Sequence, residues 1–138
     1  MEGVLDCSLA LAWALPDETS SRAEKFLAHL SPQSVLWVPA LWWYEISNAL
    51  TMAERRHRLA ESESRRIVEL YSTLPIKTDA ELSLHVVQRL QALAREHSLS
   101  AYDAAYLELA ERRNVGLATP DRRLVTAARK AGVKILSA

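Results

Sequence analysis

The stretch VGLATPDRRLVTAARKAGVKIL, residues 115–136, decides the architecture. Val115 to Ala118 is a short apolar run after the turn residue Asn114. Residues 121–131 then carry helical spacing that Gly132 ends, and Val133 to Leu136 is a second apolar run. Brief apolar strands separated by a helix indicate parallel strands covered on both faces. The same order extends toward the N-terminus. Gly3 to Asp6 reads as a strand, with Ser8 placed to cap a helix that starts at Leu9 and stops at Pro16. A second helix starts near Thr19 and carries Ala23, Phe26, Leu27 and Leu30. Val35 to Val38 is a buried strand, and Pro39 opens a helix over residues 40–56 with Trp42, Ile46, Ala49, Leu50 and Ala53 on one stripe. A helix from Glu61 to Ser72, a strand from Leu74 to Thr78, a helix from Ala80 to His97 and a helix over 101–113 capped by Ser100 complete the pattern. It predicts an α/β fold: one domain, residues 1–138, with a central parallel sheet of four or five short strands sandwiched by helices through right-handed crossovers.

The 138 residues are enough for one buried core. With 49% hydrophobic residues, 25% charged and 3 Gly, disorder and low complexity are excluded. Lys plus Arg and Asp plus Glu are both 17, which speaks against a polybasic coat for nucleic acid. The one cysteine, Cys7, allows no internal disulfide, so a reducing, cytoplasmic setting is expected. The apolar run Leu9 to Leu15 lacks a basic leader and is too short to span a bilayer, so no membrane association is expected.

In open α/β sheets ligands bind beyond the carboxyl ends of the strands, and four acids belong there. Asp6 ends the first strand. Asp121 follows the strand that ends at Ala118. Glu45 lies in the second turn of the helix after Val35 to Val38, and Asp103 lies in the first turn of helix 101–113. Four carboxylates on one rim repel strongly at neutral pH, and a hard divalent cation, Mg²⁺ or Mn²⁺, is their natural compensation. Such an ion activates water and stabilises charge on phosphate oxygens, which implies phosphodiester hydrolysis. Each acid also has a plain structural reading. Asp103 with Ser100 matches a capping box, Asp121 suits a first helical turn, and Asp6 before Ser8 suits a turn. Glu45, among Trp42, Trp43, Tyr44 and Ile46, needs a partner of some kind.

The segments VLDCS, YEISNAL, SAYDAAYLELA and LATPDRRL, in that order, resemble the PIN-domain family, and in particular the toxin subunits of VapBC toxin–antitoxin pairs. The resemblance spans essentially the whole chain. It implies a PIN-like fold and a metal-dependent endoribonuclease acting on single-stranded or looped RNA, with Asp6, Glu45, Asp103 and Asp121 as catalytic and metal-holding acids. It also implies supporting positions. Ser8 matches a hydroxyl two residues after the first acid, Thr119 matches a threonine before the last, and Asn48 matches an asparagine one turn after Glu45. Pro120 departs from the family's commoner residue. In this reading Asp6, Glu45 and Asp103 hold a first metal, and Asp121 serves a second ion or orients water. An antitoxin partner and a homodimer are implied as well.

Arg122 and Arg123, directly after Asp121, are candidates to meet RNA phosphates, as are Arg112 and Arg113; the plain alternative is a solvated helix face. The four histidines lie far apart without metal-type spacing. Trp42 and Trp43 point about 100° apart on a helix, so one of them is expected to line a groove. Two rival functions remain. One is a phosphatase with an Asp nucleophile after the first strand, which wants a second Asp two residues later where Ser8 stands. The other is a non-catalytic module that docks a partner through its Trp-rich helix. If the four acids are set aside as ligands, the rest of the chain is formally positive, so overall neutrality does not exclude a phosphate-bearing substrate.

Overall fold

The computed structural model of the protein describes residues 1–16 and 20–136. Strand β1 (Glu2–Leu5) leads directly into α1 (Cys7–Ala14), which Pro16 prevents from continuing. Helix α2 (Ser21–Ala28) begins after Ser20, whose hydroxyl accepts from the Ala23 N–H at 3.1 Å. The expected start at Thr19 lies outside the described residues. Strand β2 (Val35–Pro39) runs straight into α3 (Ala40–Arg55), and α4 (Glu61–Ser72) leads to β3 (Ile76–Asp79). Helices α5 (Leu84–His97) and α6 (Ala101–Arg113) precede β4 (Gly116–Ala118), and α7 (Arg122–Lys130) follows it.

Several boundaries differ from the sequence reading by a residue or two, as at β3, which starts at Ile76 and not Leu74, and three differences have a clear local cause. Helix α1 begins at Cys7, one turn position before Ser8 can act as a cap, and Ser8 instead turns its hydroxyl onto Asp6. Helix α5 begins at Leu84, not Ala80. There the Asp79 carboxylate accepts from the Glu81 N–H at 3.1 Å, turning the chain, and Ser83 accepts from the Val86 N–H at 3.2 Å as the true cap. The predicted last strand is reduced to one bridge, Ile135 beside Leu117, held by Leu117 N–H to Lys134 O and Leu136 N–H to Leu117 O.

The sheet has four parallel strands in the order β3-β2-β1-β4. Gly3 lies opposite Leu36 on one side and Gly116 on the other, and Pro39 pairs with Asp79. From β1 the chain moves outward to β2 and β3, then reverses to place β4 on the other side of β1. Right-handed crossovers therefore put α1 to α4 on one face and α5 to α7 on the other. The reversal point lies between the carboxyl ends of β1 and β4, where open sheets bind ligands. Val4 and Leu5, and likewise Leu117 and Ala118, are fully buried, as strands covered on both faces require. Trp42, Tyr106 and Phe26 are the largest fully buried side chains. Among the described residues no helix is long and apolar enough to cross a membrane.

Gly3 and Gly116 pair across β1 and β4 and leave a notch for Leu136. A Cβ on Gly116 would stand 2.8 Å from Leu136 and 3.0 Å from the Lys134 carbonyl. Gly116→Ala is expected to lower stability by about 1–3 kcal/mol through overpacking. In chemical denaturation the double variant Gly116→Ala/Leu136→Ala should lose less than the sum of the two single variants.

Candidate active site

Asp6 is placed by the ladder. Its N–H donates to Ala118 O at 3.0 Å, extending the β1–β4 pairing by one residue and setting its side chain beside the end of β4. The carboxylate is buried, and Oδ2 accepts two hydroxyls, from Ser8 at 2.7 Å and from Thr119 at 2.6 Å. Thr119 Oγ1 in turn accepts from the Asp121 N–H at 3.0 Å, so one hydroxyl links the first acid and the last. Burial pushes the Asp6 carboxyl above its usual range; the two hydroxyls oppose that shift and the Asp121 charge adds to it.

Asp121 caps α7, with Oδ1 accepting from the Arg123 N–H at 2.9 Å and the Leu124 N–H at 3.2 Å. Asp103 lies in the first turn of α6, where the Ser100 hydroxyl accepts its N–H at 3.0 Å. Its carboxyl is raised by burial and by the charges of Asp121 and Asp6, with Arg123 pulling the other way. Glu45 is half-buried, and its carboxyl is raised by burial and by the charges of Asp6 and Asp103. The plain structural readings therefore hold for Asp121 as a cap and for Ser100 at α6. Asp6 stands at the junction of β1 and α1, as the turn reading has it, and its carboxylate is also bound by the distant Thr119 hydroxyl.

The partner that Glu45 requires is Tyr106, whose hydroxyl donates to Glu45 Oε1. Sequence reasoning did not single it out. The available signal was its position three residues after Asp103, on the same face of α6. Tyr106 is almost fully buried, and burial together with the neighbouring Glu45 drives its hydroxyl far above the usual range, so it stays protonated as a donor. Asn48 is exposed one turn beyond Glu45 and makes no side-chain hydrogen bond among the described residues.

The carboxylates are close enough to raise one another, yet among the described residues no group of three or more His, Cys, Asp or Glu side chains stands at chelating separation. This is an open, all-oxygen donor set with unneutralised charge. It suits a hydrated Mg²⁺ or Mn²⁺ that takes one or two carboxylates directly and keeps several waters, not a closed cage.

Arg112 and Arg113 are committed elsewhere. Arg112 donates to Glu108 at 2.8 and 3.1 Å, to Asp79 at 2.9 Å and to Glu81 at 2.8 Å. Arg113 donates to Asp79 at 2.8 Å and lies 3.4 Å from the centre of the Trp37 ring. Neither remains open to an RNA phosphate, because β3 ends in a buried carboxylate that needs both. Arg122 and Arg123 are exposed. Trp42 is buried edge-on against Tyr71 and Trp43, whereas Trp43 is 40% exposed and donates to Thr78 Oγ1 at 2.8 Å. Trp43 is thus the outward member of the pair. Tyr102 and Leu82, both exposed, border an apolar cleft of about 210 Å³ between the end of β3, α5 and α6.

A family model described as PIN domain matches residues 3–130. Ribonuclease VapC3 of Pyrobaculum aerophilum is 34% identical over 128 residues, covering 90% of this chain and 92% of the relative. Ribonuclease VapC9 of Mycobacterium tuberculosis is 34% identical over 121 residues, covering 88% and 87%. Among solved structures, a Pyrobaculum aerophilum protein superposes with a TM-score of 0.70 at 26% identity, over 98% of this chain and 83% of that one. VapBC2 of Rickettsia felis, bound to a promoter DNA fragment, superposes with a TM-score of 0.71 at 11% identity, covering 99% and 98%, which shows the shared fold.

The Asp79 cluster has a defined pH signature. Burial raises the Asp79 carboxyl, but the Arg112 and Arg113 guanidinium groups and the Glu81 N–H together outweigh it and hold the group below its ordinary 3.8. A depressed folded pKa contributes stability that is fully present above the unfolded value and is lost as pH falls through the folded one. Asp79→Asn should therefore cost about 2–3 kcal/mol near neutrality. In acid-range thermal melts, the gap between wild type and Asp79→Asn should close below roughly pH 4.

Proposed function

The chain belongs to the PIN-domain family, and on that premise we propose that it is a Mg²⁺- or Mn²⁺-dependent endoribonuclease, the toxin of a type II toxin–antitoxin pair. The observation that carries this reading is the convergence of Asp6, Glu45, Asp103 and Asp121 on the β1–β4 reversal point, where burial and mutual charge raise Asp6, Glu45 and Asp103. Their relation to VapC ribonucleases at 34% identity over most of both chains supports the same substrate class.

In this reading the rim of Asp6, Glu45, Asp103 and Asp121 would hold the ion, one or two of them directly and the others through water. When bound, it supplies an activated water and neutralises charge on the attacked phosphate. The protein's own residues prepare that site. Ser8 and Thr119 fix Asp6 in one orientation, and Tyr106 does the same for Glu45, so that little side-chain reorganisation accompanies ion or substrate binding. Asp121 is fixed by its own cap bonds to α7. Arg122 and Arg123, directly beyond it, receive the phosphates of the RNA strand. Asn48 is a supporting position at the Glu45 side of the rim. Ser8 stands where a phosphatase of the rival type needs a second acid, and its proton is given to Asp6, which disfavours that chemistry.

Trp43 and Tyr44 on α3, Leu82 just before α5, Leu84 and Val87 on α5 and Tyr102 on α6 are exposed, more apolar surface than a solitary nuclease needs. We assign this surface to protein partners, an antitoxin segment and a second copy of the chain. A cytoplasmic location suits Cys7, a buried cysteine in a chain that can form no internal disulfide.

Asp6→Asn and Asp103→Asn should each fold and lose Mg²⁺-dependent RNA cleavage by on the order of a hundredfold or more. Millimolar Mn²⁺ should raise the thermal midpoint of wild type and not that of Asp103→Asn. Cleavage retained in both variants would overturn the assignment of the acids.

A further inference from the structure

Some positive side chains of this domain are held by acids and others are not. Arg89, Arg112 and Arg113 are held by carboxylates, and Arg65 stands 4.0 Å from Glu61. Arg122, Arg123 and Lys130 all lie on α7, are exposed, and have no carboxylate within ion-pair distance among the described residues. All three line one polar cleft of about 560 Å³ between α7 and the end of α5, whose opposite wall is His97 and Ser98. Glu96, the acid of that wall, is turned toward His97, with Oε2 at 3.9 Å from Nε2. Buried Ala127 belongs to the α7 wall, so the cleft is a formed groove and not an open helix face.

The spacing of the cations is that of a strip. Arg122, Thr126 and Lys130 recur at i, i+4 and i+8 and so share one helix face, about 12 Å long at 1.5 Å per residue. The strip starts at the acidic rim. The Arg123 N–H donates to Asp121 Oδ1, and the Arg123 charge favours ionised Asp103. A ligand that is polyanionic and extended, and that has one end among the four acids, matches this layout. A single-stranded nucleic-acid backbone has that form, with phosphates repeating over a length the strip can follow.

We propose that the α5–α7 cleft is the track by which the RNA strand leaves the acidic rim, with Arg122 and Arg123 meeting the phosphates nearest the cut and Lys130 one farther along. The inference rests on the ribonuclease reading and extends it to a binding path that includes Lys130, at the far end of the helix that Asp121 caps. Thr126, whose hydroxyl donates to Arg122 O at 2.9 Å, holds the backbone of this strip and leaves its oxygen facing the cleft as an acceptor.

The test uses a short single-stranded RNA of mixed sequence, wild type, Lys130→Gln, Arg122→Gln/Lys130→Gln, and Lys25→Gln on α2 as a charge-matched control. Thermal melts establish that all are folded. KM should rise for Lys130→Gln with kcat retained, and by roughly tenfold for the pair. The slope of log affinity against log salt should become shallower by about 0.7 for each phosphate contact removed. Lys25→Gln should match wild type. If wild type cleaves no RNA, the ribonuclease reading itself fails. If wild type cleaves but KM and salt slope are unchanged in the Lys130 variants, or change equally in Lys25→Gln, the track is overturned. Weakened antitoxin binding with unchanged KM for RNA would also overturn it and assign the cleft to a protein.

Discussion

The hydrogen bond from the Thr119 hydroxyl to Asp6 Oδ2 joins groups 113 residues apart in the chain, and the site depends on it. It closes the gap between the carboxyl ends of β1 and β4, where the sheet reverses its direction of growth. Through the same oxygen, Thr119 accepts the Asp121 N–H, so the start of α7 is held against the first strand. A carboxylate as buried as Asp6 is costly without such donors. Two hydroxyls reduce that cost without neutralising the charge, which remains available to a cation. A lysine or arginine in place of Thr119 would instead pair with the carboxylate and neutralise it.

The same economy governs the rest of the charge. The structure spends arginines where a buried carboxylate has only a structural task, at Asp79, and withholds them from the rim. Asp79 receives two guanidinium groups, whereas Asp6 and Glu45 receive only neutral hydroxyls. Asp79 and Asp6, both buried, are thus treated in opposite ways: one sits in an ion-pair cluster, the other among neutral donors. Neutral net charge conceals this division, since it sums over an unpaired acidic rim, a closed ion-pair cluster and an unpaired basic strip.

The sequence made the strand and helix order legible because the buried strands are short apolar runs bounded by Pro, Gly and Asn, and because Pro16, Ser100 and Gly132 mark helix ends by their local chemistry. Asp6, Glu45, Asp103 and Asp121 were legible as a group because strand ends and first helical turns share one edge of an α/β sheet. What was not legible depends on contacts between distant segments. Ser8 looked like a cap, and only the position of Asp6 beside it shows why its hydroxyl turns back. The start of α5 was placed four residues early because Asp79, which turns the chain there, is anchored by arginines more than thirty residues away. Tyr106 shares a helix face with Asp103, but only the approach of α3 to α6 shows that its hydroxyl reaches Glu45.

Helix α3 shows how packing aims a functional group. Its residues Trp42, Trp43, Tyr44 and Glu45 advance by about 100° each, so fixing the roll of the helix at one of them fixes all four. Trp42 does the fixing. It is fully buried, edge-on to Tyr71, and its Nε1 finds no hydrogen-bond partner among the described residues, so it is held there by apolar contact alone. Trp43 then falls over β3, where Thr78 accepts its N–H, and Tyr44 falls outward, 76% exposed. Glu45, three residues after the anchor, returns to the side of the core and meets Tyr106 at the edge of the rim. The aromatic cluster that reads in sequence as a docking helix is therefore first a device for setting an angle. Its exposed members are the by-product that a protein partner can use, and its buried member is what delivers the carboxylate to the site.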